Sequence, residues 1–244
     1  MNNKAPEMLT LQITEMMEFV AKHYFITKNK LAQQHIMAIG RRYSMMADAY
    51  VEIAQLFNRE PDSEIEQRYF NIYLNSLYIN IFGCIENLAW LLYFQIIYPM
   101  DKMGKFTITL FHEKLLSNCL KNGIYLSETK TEYVNWIKDL KTKRDPIAHQ
   151  IPLYIPYRII TNEKQKSDYK EMEKEALSKA NCGDTHGYIE IMSEARKIGE
   201  YIPRIWLVDS VKEDITFVPF KEIVNEDMIK LNGLVENIIG KIFK

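Results

Sequence analysis

Residues 36–57, IMAIGRRYSMMADAYVEIAQLF, decide the fold class. Within them Ile36, Ile39, Tyr43, Met46, Tyr50, Ile53 and Phe57 recur at alternating steps of three and four, the apolar stripe of one long helix. No proline interrupts residues 7 to 60, so nothing in that span forces a break. Upstream, Met16, Phe19, Val20 and Tyr24 mark an earlier helix, and the two are expected to join near Thr27-Lys28-Asn29. Downstream, Glu60-Pro61-Asp62-Ser63 reads as a turn in which Asp62 or Ser63 caps the next helix.

That next helix raises the question of a membrane. From residue 69 to 100 the one formally charged side chain is Glu86, and the run is long enough to span a bilayer. Asn71, Asn75, Asn80, Asn87 and Gln95 share the run with it, and a carboxylate in mid-span is costly. The expectation is therefore a helix buried inside a bundle, ended by Tyr98-Pro99, with no membrane partner.

Two shorter helices follow. One covers about 110–121 and stops at Asn122-Gly123; the other covers about 129–142 with Tyr133, Ile137 and Leu140 facing inward. Arg144 continues that spacing and should point towards the bundle. Leu153, Ile155, Tyr157 and Ile159 then alternate at period two and predict a strand, as do residues 204–208 and 215–220. Residues 163–201 predict two charged helices parted at Asn181-Cys182-Gly183-Asp184. Met228, Leu231, Val235, Ile238 and Ile242 close the chain with an amphipathic helix. The expected fold is mainly α: an up-and-down helical bundle with a small β addition of two to three strands in the second half. It is read as a single domain over 1–244, with an N-terminal helical extension over about 8–60 and a β/helical insertion over about 151–222.

Composition narrows function by exclusion. A formal net charge of −1 argues against a DNA coater, whose whole surface would be basic, and leaves room for a local basic patch. Cys84, Cys119 and Cys182 are odd in number, far apart and without CxxC spacing, so neither a disulfide framework nor a zinc site is expected. With an N-terminus that lacks a leader pattern, they suit a reducing, cytoplasmic setting. His23, His35, His112 and His186 show no ligand-like spacing, and twelve methionines read as core filler, so no metal and no cofactor are expected.

The chemistry concentrates at Arg144-Asp145-Pro146-Ile147-Ala148-His149. Arginine clamps phosphate permanently, and histidine changes charge near neutral pH. Asp145 before Pro146 predicts that one helix ends near Arg144 and a new one starts, with Asp145 as its N-cap and free N–H groups beside Arg144 to receive an anion. Lys138, Lys141 and Lys143 add positive charge. Tyr154 and Tyr157 offer faces on which bases could stack, against aromatic packing along a strand. Glu86, alone in its apolar helix, is expected to pair with Arg144.

Arg144, the polar Asp145 and His149 resemble the Arg-x(4–6)-His motif of the HEPN superfamily. The string Arg-Asp-Pro-Ile-Ala-His-Gln-Ile-Pro-Leu-Tyr-Ile-Pro, residues 144–156, is similar to a bacterial HEPN subfamily in which a β segment follows the histidine. Glu86-Asn87-Leu88-Ala89-Trp90 resembles that subfamily's core helix. The resemblance covers residues 62 to about 156 plus the last helix; the N-terminal helices and residues 161–202 fall outside it. It implies a metal-independent RNA endonuclease, a homodimer with two motifs facing each other, acting in defence or stress response. The 2′-hydroxyl would attack the adjacent phosphate, with His149 as general base or acid, Arg144 stabilising the phosphate charge and Asp145 orienting either one. Glu86 would support Arg144, and Lys141, Lys143 and Tyr154 would bind a single-stranded or looped RNA. A protein antitoxin or regulator is a further partner. The alternative is a non-catalytic HEPN-like module that binds nucleotide, RNA or a protein.

Overall fold

The computed structural model describes residues 4–57, 59–149, 152–209 and 214–244. Its elements are α1 (Lys4–Ile26), α2 (Lys30–Ala54), α3 (Glu64–Leu92), α4 (Glu113–Lys121), α5 (Ser127–His149), α6 (Glu163–Asn181), α7 (Thr185–Ala195), β1 (Arg204–Asp209), β2 (Asp214–Pro219) and α8 (Phe220–Ile242). The chain is mainly helical, with one antiparallel two-stranded sheet among the described residues.

The expected helix starts are set by side-chain caps. Asn29 Oδ1 accepts from the backbone N–H groups of Leu31 and Ala32, which parts α1 from α2. Ser63 Oγ accepts from Glu66 N at 3.2 Å and opens α3. Both satisfy donors that a helix start leaves without partners.

α2 lies along α3 and contributes the stripe read from the sequence. Ile36, Ile39, Tyr43, Met46, Tyr50 and Ile53 are all fully buried. α3 is the central element, contacted by α2, α5 and α8. It is long and apolar enough to cross a membrane, yet 72% of its most apolar window is buried inside the bundle. Cys84 and Cys119 are buried, and burial pushes both thiols up to about 12, in Cys84 against the pull of Arg42. Since the thiolate is the reactive form, one of the three cysteines, the exposed Cys182, should titrate with a disulfide reagent in the folded protein, and all three in denaturant. A second fast-reacting thiol in the native state would contradict this packing.

The strand expected over Leu153, Ile155, Tyr157 and Ile159 does not form; Tyr154 and Ile159 make isolated bridges to Trp206 and Glu200. The reason is that side-chain amides of α3 take the place of a neighbouring strand. Asn75 accepts from Leu153 N at 3.0 Å and donates to Leu153 O at 2.9 Å. Asn71 accepts from Ile155 N at 2.7 Å, and Gln67 donates to Ile155 O. The polar residues that keep α3 from reading as a membrane span thus dock the segment that follows α5. Asn71→Ala leaves the buried N–H of Ile155 without an acceptor and should cost about 1–3 kcal/mol. Urea denaturation reads this directly, and an unchanged midpoint would refute it.

The sheet follows the expected boundaries closely, pairing Arg204 with Pro219 through Asp209 with Asp214. α6 and α7 pack chiefly on each other, and Arg196 Nη1 ties α7's end to Glu64 Oε2 at 3.0 Å.

Candidate functional site

A cleft of about 850 Å³ opens between α2, α3, α5 and the loop before α4. On α3 the positions four apart, Phe82, Glu86 and Trp90, form one wall. On α5 Ile137, Lys141 and Arg144 form the opposite one, spaced by four and three. His35 and Arg42 come from α2, and Lys105 and Phe106 from the rim loop. Among the described residues five cationic side chains, Arg42, Lys105, Lys138, Lys141 and Arg144, therefore line it against one carboxylate, Glu86. This is the local basic patch that the near-neutral net charge conceals.

The guanidinium of Arg144 lies over the Phe82 ring, 4.8 Å from its centroid. The cation rests against the negative face of the ring. Phe106, 83% exposed at the rim, offers an aromatic face to solvent. Phe111, nearly buried in the same loop, has φ 69, a left-handed conformation that a bulky residue adopts at a cost of about 1–3 kcal/mol. The strain sits beside His112, whose Nδ1 caps the start of α4.

His35 is fixed from two sides. Its ring stacks nearly parallel to those of Trp90 and Phe94, at 5.9 and 5.4 Å between centroids. Asn87 donates through Nδ2 to Gly83 O at 2.7 Å, which turns its Oδ1 towards His35 Nδ1 at 3.0 Å. An amide oxygen only accepts, so Nδ1 carries the proton and Nε2 is the acceptor nitrogen of the neutral ring.

Three expected site residues, Glu86, Lys141 and Arg144, share this cleft. Others do not. Lys143 is buried, and its ammonium pairs with Asp227 Oδ2 of α8 at 2.5 Å, so it is not available to a phosphate. Tyr154 lies against Trp206, edge to face at 6.2 Å, and lines a separate apolar groove between α2 and α3. Glu86 is exposed and makes no ion pair with Arg144, because water reaches its carboxylate and no burial cost demands a partner.

The expected helix break at Asp145-Pro146 is also absent: α5 runs through to His149. Proline's φ suits a helix, and three residues from the helix end it removes a single intrahelical hydrogen bond, to Thr142 O. No new helix starts at Asp145, so the free N–H groups expected there do not add to the positive field of the cleft. On a continuous helix, positions 144 and 149 stand about 140° apart around the axis. The side chains of Asp145 and His149 lie outside the described residues.

Arg42, His35, Lys105 and Phe106 went unread as site residues in the sequence. A glycine in the middle of an apolar helix, Gly83, is the signal that could have found Arg42. Among the described residues no three histidine, cysteine or acidic side chains gather as a metal site. Comparisons with protein-family models, curated proteins and solved structures returned no match for the chain.

Proposed function

We propose that the chain is a metal-independent ribonuclease of HEPN type whose RNA-binding groove is the cleft between α2, α3 and α5. The observation that carries this reading is Arg144, held over Phe82 in a cleft lined, among the described residues, by five cations and by the exposed ring of Phe106. Cations meet backbone phosphates and aromatic rings meet unstacked bases, the combination that single-stranded RNA requires. The 2′-oxygen attacks phosphorus as a base removes its proton. The bond from phosphorus to the 5′-oxygen breaks, and an acid protonates that oxygen. The products are a 2′,3′-cyclic phosphate and a 5′-hydroxyl. Arg144 stabilises the charge on the non-bridging oxygens, and His149 exchanges the protons.

Single-stranded RNA incubated with the purified protein in EDTA should be cut to those ends, and a DNA strand of the same sequence should stay intact. His149→Ala should slow cleavage by about 10²–10⁴-fold. RNA that survives across varied sequences and pH would overturn the reading. A second reading, a module that binds RNA without cutting it, draws on the separation of positions 144 and 149 around a continuous helix. Tight binding with no cleavage is its signature.

A further inference from the structure

We propose that Arg42 is a second phosphate-binding arginine of the cleft, seated in a notch at Gly83 and acting with Arg144 as a two-guanidinium clamp on the phosphodiester of a single RNA strand. The proposal rests on the cleft being an RNA groove and adds to it a residue that lies far from Arg144 in the chain.

Three observations support it. First, a β-carbon at position 83 would overlap the Arg42 guanidinium, so the absence of a side chain there is what lets Arg42 lie across α3. Second, Phe82 and Gly83 are consecutive, and each carries an arginine: Arg144 over the ring, Arg42 over the bare backbone. Both side chains line the same cleft. Third, Arg42 is half-buried, and among the described residues it makes no ion pair; it donates one hydrogen bond, from Nη1 to Asn80 Oδ1 at 3.2 Å. A guanidinium presents five donors, so most of this fork is left for a ligand. An arginine held in place by a neutral amide keeps its full charge, which suits an anion that arrives and leaves.

The ligand class follows from the geometry. Two planar forks favour bidentate contact with a tetrahedral oxyanion over contact with a base edge. The aromatic rings of Phe106 and Trp90 beside them suit nucleotides whose bases are unstacked.

The test uses the full chain and a short fluorescein-labelled 2′-O-methyl oligoribonucleotide, which cannot undergo 2′-attack, so binding is read whether or not the protein cuts RNA. Fluorescence polarisation is followed over a salt series. Arg42→Ala should weaken binding about tenfold or more and lower the salt slope by about one. Gly83→Ala keeps every charge but fills the notch, and should weaken binding as well. Arg41→Ala, which removes the neighbouring charge outside the cleft, should leave affinity within about twofold. Thermal melts by circular dichroism check that each variant is folded. Wild-type affinity and slope in Arg42→Ala would overturn the clamp, and wild-type affinity in Gly83→Ala would overturn the notch. If Arg42→Ala binds weakly and the wild type leaves unmodified RNA whole, the clamp stands and the nuclease reading falls. If the wild type cuts RNA and Arg42→Ala binds as well as it does, the nuclease reading stands and the clamp falls.

Discussion

Asp227→Ala is expected to destabilise the fold by about 3–5 kcal/mol, the largest loss from any single replacement considered. Asp227 is 2% exposed, and its carboxylate receives three donors from two other helices. Lys143 Nζ reaches Oδ2 at 2.5 Å, Tyr78 Oη donates to Oδ2 at 2.9 Å and Trp136 Nε1 donates to Oδ1 at 2.9 Å. Burial, and then the charge of Asp227, hold the Tyr78 phenol well above its usual range, so it stays a neutral donor. Alanine leaves a buried ammonium, a hydroxyl and an indole N–H without partners. The double replacement Lys143→Met, Asp227→Leu removes both charges and should regain much of the loss, since a buried pair is weak evidence for net stability while a broken one is strongly destabilising. Urea melts of the single and double variants measure both. A single variant within 1 kcal/mol of wild type, the ordinary scale for a mutation, would show that the network contributes little.

On the proposed nuclease reading, Arg144→Ala is expected to lower the rate of RNA cleavage by about 10²–10³-fold, the usual consequence of removing one preorganised donor to an accumulating negative charge. Its melting temperature should barely move, because the side chain is half-buried at the cleft wall and leaves the Lys143–Asp227 pair intact. Arg144→Lys keeps the charge yet loses the planar fork over Phe82 and should recover only part of the rate. A variant that cuts as fast as wild type would remove Arg144 from the mechanism. A variant that loses rate in proportion to its folded fraction would assign it a structural role.

The helices were legible wherever a periodic apolar stripe met a side-chain cap, as at Asn29 and Ser63. The segment around Leu153 and Ile155 misled because its alternation is genuine while its partner is not a strand. Asn71 and Asn75 supply the pairing, and an amide projecting from a distant helix leaves no periodic trace. The sequence offers Lys143 as an RNA-binding charge beside Lys138 and Lys141; its carboxylate lies 84 residues away, beyond any local pattern. Arg42 was hidden for the same reason, since the glycine that makes room for it belongs to another helix. Asp145-Pro146 reads as a stop by local preference, and α5 continues through it to His149.

Lys143 and Arg144 are neighbours on α5, one riveted into the core and the other aimed at the cleft. Successive helical positions differ by about 100° around the axis, so clamping the first sets the heading of the second. The Lys143–Asp227 pair thereby works as a rotational lock. Its carboxylate belongs to α8, which leaves the ribosome after every element that lines the cleft. A growing chain that has made α2, α3 and α5 has the seat of Arg144 on Phe82 and still lacks this second hold on the roll of α5, which arrives with α8.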